Sequence, residues 1–181
     1  MWLGAPENEL GVSLPIRVPL ARTDRLAVLV DQVVAYSIGF TFRLSVRSHP
    51  DHPVSEHGLH GLFPHPDGDM RKLLVGVEFA DGRKATNLAF PQLEQPVEGP
   101  VLIGGGGGGG GGRFDFGFWV WPLPPDGPLT FVCRWSAEGV EQTRAEIDAG
   151  SIGAAALLSE LLWPERGDGG GGGWTTSSEL A

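Results

Sequence analysis

Phe40-Thr41-Phe42-Arg43-Leu44-Ser45-Val46-Arg47-Ser48 alternates without interruption. On an extended chain successive side chains point to opposite faces, so Phe40, Phe42, Leu44 and Val46 share one side. Thr41, Arg43, Ser45 and Arg47 then share the other. A helix over the same residues would scatter both sets around its circumference, so the segment reads as a half-buried strand.

The same test applied to the flanking sequence gives more strands. Leu14, Ile16, Val18 and Leu20 keep the period of two. Pro15 and Pro19 fall on the opposite phase and have no N–H to donate, which predicts an edge strand. Residues 25–36 fill both phases with Leu26, Val28 and Val30 against Ala27 and Leu29. Their valine content and the following Gly39 favour a strand, although a short apolar run of this kind also fits a buried helix. Leu73, Val75, Val77 and Phe79 form another strand, Asp81-Gly82 turns the chain, and residues 83–88 return. Phe114, Phe116, Phe118 and Val120 alternate with Asp115, Gly117, Trp119 and Trp121. A proline-rich connector, residues 122–128, leads to Leu129, Phe131, Cys133 and Trp135. Glu138-Gly139 turns into a polar strand over 141–147. Residues 152–163 predict a helix, capped by Asp148 or Ser151 and stopped by Pro164.

This pattern of short strands at roughly ten-residue spacing predicts a mostly β fold. The expected architecture is an antiparallel two-layer β-sandwich-like domain with one C-terminal helix. The βαβ alternation of a parallel sheet and the Cys-Trp-Cys spacing of antibody domains are both absent from the sequence. The expected organisation is an irregular lead-in over 1–12, a single β-rich domain over 13–164, and a disordered glycine-rich tail over 165–181. Within the domain, 49–69 reads as a histidine-rich polar loop and 104–112 as a flexible poly-glycine loop joining two strands.

A chain of 181 residues is long enough for one domain with a proper core and short for two. It carries 22 acids against 13 Lys and Arg, for a net charge of −9, which disfavours nucleic acid and anionic membranes as partners. The single cysteine, Cys133, rules out an intrachain disulfide and fits a reducing compartment. No basic and apolar leader opens the sequence, and residues 26–40 are too short and too polar to span a bilayer. The expected location is the cytoplasm.

Four features carry chemical possibilities. The nine glycines of 104–112 match the dinucleotide fingerprint formally, but strand periodicity follows them instead of the helix N-terminus that would hold a pyrophosphate. All five histidines, His49, His52, His57, His60 and His65, lie in one segment with Asp51, Glu56, Asp67 and Asp69. Imidazoles at such spacing suit a divalent transition metal, and an exposed solvated loop has the same composition. Trp119 and Trp121 stand on one face of their strand, opposite three phenylalanines. They offer either an exposed recognition surface or, for Trp119 in particular, a strand buried on both faces, covered by the helix or by a second sheet. Cys133 shares a phase with Leu129, Phe131 and Trp135 and reads as an inert, buried thiol.

The segments Val77-Glu78-Phe79-Ala80-Asp81-Gly82-Arg83-Lys84-Ala85-Thr86-Asn87, Phe118-Trp119-Val120-Trp121-Pro122-Leu123-Pro124-Pro125 and Leu129-Thr130-Phe131-Val132-Cys133-Arg134-Trp135 resemble a group of small β-rich proteins of high-GC Gram-positive bacteria. The similarity covers most of 15–164, including a glycine-rich insertion before the aromatic strand. It implies a bacterial, cytosolic protein and brings no activity and no site residues.

No nucleophile elbow, paired-carboxylate motif or ordered ligand set is visible. The expected function is therefore a non-enzymatic binding or protein-interaction module. The alternative is a metal-binding protein using 49–69, and an enzyme whose site is assembled from distant strands stays open.

Overall fold

The computed structural model describes residues 3–51, 63, 71–88, 97 and 99–164. The strands run in chain order β1 (Glu9–Leu10), β2 (Val12–Leu14), β3 (Val18–Arg22), β4 (Leu26–Tyr36), β5 (Gly39–Ser48) and β6 (Leu74–Glu78). They continue with β7 (Lys84–Thr86), β8 (Val101–Gly110), β9 (Arg113–Trp121), β10 (Pro128–Trp135), β11 (Val140–Asp148) and β12 (Glu160–Leu161). One helix, α1 (Gly150–Ala156), precedes β12.

Among the described residues the strands form three antiparallel sheets, of which two enclose the core and the third is the two-stranded ribbon β1-β12. The larger core sheet has the order β2-β4-β5-β9-β8, with β3 also on β4, and the smaller has the order β11-β10-β6-β7. Their inner faces share one core. Phe42 of β5 stacks on Phe118 of β9 at 5.3 Å and meets Phe131 of β10 edge-on at 5.1 Å, so one ring ties both layers together. Leu44, Val46, Val75, Leu129 and Cys133 are buried around it. The expected mostly β, antiparallel fold with one helix is what the chain adopts.

The ambiguous phases of β4 have a local cause. Its register on β5 shifts between Asp31 and Val34, and Gln32 takes φ 51 there, the one positive φ among the described non-glycine residues. The bulge inserts one residue, so inward burial passes from Val28 and Val30 to Val33 and Ala35. The predicted edge strand is split by Pro15 and its neighbours into β2 and β3, which pair with opposite halves of β4.

Three expectations need correction. The glycine tract is not a loop: 104–110 continue β8 as an edge strand paired with β9. Contact requires glycine at two of these positions, Gly107 and Gly109. A Cβ on Gly107 would strike the Asp115 carbonyl oxygen and the Phe116 ring, and one on Gly109 would lie 2.8 Å from Phe114 Cα. The helix predicted over 152–163 ends at Ala156. There Ser159 Oγ donates to the Ala156 carbonyl at 2.9 Å, and the next residues leave to pair as β12 with β1. A strand partner from the other end of the chain thus overrides helix propensity. For the same reason the lead-in over 1–12 is not wholly irregular, since it contains β1. The tail expected over 165–181 lies outside the described residues.

Candidate interaction surface

The outer face of the larger sheet carries a polar ladder. Arg43 Nε donates to Asp31 at 2.6 Å, Ser45 Oγ to Asp115 at 2.6 Å, and Arg47 to Asp115 at 3.0 Å. Arg113 closes on the other oxygen of Asp115 at 2.7 Å. Burial by itself would raise the Asp115 carboxyl, but Arg113, Ser45 and Arg47 outweigh it and hold the pKa down to about 2. A carboxylate that weakly basic does not take a proton from Ser45 at neutral pH, so the pair is no nucleophile and base. Asp31 has Arg43 and Asp115 has both Arg47 and Arg113, so three arginines meet two acids and the cluster keeps one positive charge in excess.

The residues singled out in the sequence fare differently. Trp119 is buried at 3% exposure, so the recognition-surface reading of it fails. Tyr36 meets its ring edge-on at 5.9 Å, and a Cβ at Gly39 would come within 2.7 Å of its indole, so glycine makes the space. Trp121 is half-buried at the strand end, where a Cβ on Gly99 would lie 3.2 Å from its ring. Cys133 is buried, and burial pushes its thiol up to about 12, far from a reactive thiolate. Of the histidines, His49 accepts the Asp51 N–H on Nδ1 at 3.2 Å, while His52, His57, His60 and His65 lie outside the described residues. Among the described residues no three His, Cys, Asp or Glu side chains gather as a metal site. The glycine tract runs into β9 without any helix N-terminus, so the dinucleotide fingerprint has no phosphate cradle.

The feature that stands out lies where the two ends of the domain meet. Asn8 clamps the chain after β12: its Nδ2 donates to the Trp163 carbonyl at 2.9 Å, and its Oδ1 accepts the Trp163 N–H at 2.9 Å. Leu162 N–H adds a bond to the Asn8 carbonyl at 3.1 Å. The ribbon of β1 and β12 held this way buries almost none of its apolar side chains. Leu10, Leu157, Leu158, Leu161, Leu162 and Trp163 are between 45% and 88% exposed. In the β1–β12 register Glu9 faces Leu161 and Leu10 faces Glu160. Leu10 and Leu161 therefore stand on opposite faces of the ribbon, and it is an apolar knob rather than a flat patch.

Single exposed leucines are ordinary, whereas six apolar side chains exposed together make a larger patch than scattered surface leucines do. Fully covering one such side chain is worth about 1.5–3 kcal/mol, so the six at their present exposure leave roughly 6–11 kcal/mol unrealised. Its electrostatic frame is one-sided. The segments 3–12 and 149–164 that build this end contain Glu7, Glu9 and Glu160 and no Lys or Arg. The sequence reading missed the knob because Leu157, Leu158, Leu161 and Leu162 fit the inner stripe of a longer helix equally well.

No helix among the described residues is long and apolar enough to cross a membrane. No family model, curated protein or solved structure matches the chain.

Proposed function

We propose that the protein is an interaction module that docks its apolar knob into a groove on a protein partner. The observation behind this reading is the clamp: Asn8 holds Trp163 by two hydrogen bonds across 155 residues of sequence, and what it holds is exposed leucine and tryptophan. Ordering those backbones costs roughly 1–2 kcal/mol per residue, and within the domain almost no burial offsets it. A partner supplies the missing contact. Each face of the ribbon carries one exposed leucine beside a glutamate, so the partner encloses the knob from both sides, as hot-spot anchors are enclosed in pockets. The acidic frame calls for a basic rim and disfavours an anionic lipid surface.

A photo-crosslinking amino acid placed at Leu161 of the full-length chain in the producing cells tests this. The expected result is one or a few discrete protein adducts that disappear when Leu158 and Trp163 are replaced by Ser. Adducts to lipid, or no adduct above background, overturn it.

A further inference from the structure

The protein carries its own version of the groove that the knob requires. At the far end of β4 the outer sheet face holds a cleft of about 770 Å³. That lies within the range of roughly 300–1,000 Å³ typical of clefts that take up apolar groups. Pro19, Ala27 and Leu29 line it together with Arg22 and Arg47, and Asp24 is the one acid among its lining residues. The small side chain of Ala27 opens the space. Its neighbours Leu26 and Val28 are buried on the inner face, so Ala27 points outward.

We infer that the knob's partner is a second copy of this chain, docked head to tail, with the Leu161–Trp163 end of one copy in the Pro19–Leu29 cleft of the next. This rests on the interaction reading above. Charge complementarity supports it, because the knob's frame is acidic and without Lys or Arg whereas the cleft presents Arg22, and Arg47 beside it shares the single Asp115 carboxylate with Arg113 and so leaves one positive charge in excess. Knob-to-knob pairing would instead set Glu160 against Glu160 with no cation between them. Position supports it as well. Ser37, beside the end of β4, donates its backbone N–H to Glu9 at 2.9 Å, which ties the knob to that end. The cleft lies at Leu26–Leu29, about 25–35 Å along the same strand at the usual rise per residue. A clamped knob cannot reach its own cleft, so the contact is between copies. Such a contact uses different surfaces on the two copies and leaves one knob and one cleft open, so it extends into a chain unless rotation closes a ring.

Sedimentation velocity on the full-length protein at high micromolar concentration tests this. The wild-type chain is expected to form species larger than a dimer. Leu161→Asp and Ala27→Glu, both at surface positions, are each expected to sediment as monomers. Mixed in equal amounts they should form a two-chain species and nothing larger, because each retains one intact half. Charge swaps give a second route: Glu160→Arg or Arg22→Glu alone weakens association, and the two in one chain restore it. A wild-type chain that stays monomeric, or an Ala27→Glu chain that associates like wild type, overturns the self-docking. If Leu161 still crosslinks to another protein in that case, the interaction reading survives it; if nothing crosslinks, both fall.

Discussion

Asp115→Asn is the substitution with the most informative pH dependence. It preserves shape and one acceptor oxygen but removes the charge that gathers Arg113 at 2.7 Å and Arg47 at 3.0 Å. A carboxyl held at about 2 instead of 3.8 is displaced by nearly two pH units, which corresponds to at most about 2.5 kcal/mol of stabilisation at neutral pH. The carboxylate side chain is 24% exposed, so solvent screening reduces this to about 1–2 kcal/mol. The sign is that of a depressed acid. The stabilisation is complete above the unfolded value near 3.8 and is lost as pH falls toward about 2. Urea unfolding of the two proteins at a series of pH values measures it. Near neutrality the Asn variant should unfold at a midpoint lower by roughly 0.5–1 M urea. Between about pH 4 and pH 2 the two midpoints should converge, because the wild-type chain loses the charge that the variant never had. A gap that keeps its size down to pH 2, or no gap at pH 7, would refute the account of the ladder.

Two further outcomes follow from packing. Gly107→Ala drives a Cβ into the Asp115 carbonyl and the Phe116 ring and should lower stability by about 1–3 kcal/mol. Gly108→Ala meets nothing within 4 Å and should be neutral or stabilising by up to about 1 kcal/mol. Equal shifts in their thermal midpoints would show that β8 does not lie against β9 in this register. Cys133, with its thiol pushed up to about 12 by burial, should resist iodoacetamide at pH 8 in the folded protein and react promptly in denaturant. Rapid labelling of the folded chain would contradict its burial.

Alternation was enough to place β5, β9 and β10, because a strand with one wet and one dry face writes that difference into every second residue. It identified Phe42, Phe118, Phe131 and Cys133 as inward-facing and the proline-bearing strand as an edge. Where the signal was weaker, the cause is local. The two apolar phases of β4 come from a bulge at Gln32, and a run of glycines carries no alternation from which pairing could be read. Phe63 shows the same limit. It lies in the histidine-rich stretch yet packs edge-on against Phe116 at 4.8 Å, a contact that no local pattern announces.

The sequence alone therefore determined the class of fold, the direction in which most core side chains point, and the acidic balance of the chain. Those are properties of neighbours along the chain. The candidate surface belongs to tertiary structure. Leu157, Leu158, Leu161 and Leu162 have helical spacing in the sequence, and only the pairing of β12 with β1, held by Asn8, turns them out to solvent. Trp119 shows the reverse. Its strand phase made it a candidate for exposure, and a glycine eighty residues earlier, Gly39, together with Tyr36, buries it. In both cases the deciding contact joins residues far apart in sequence, and the free energy of such a contact leaves no trace in the local pattern of either partner.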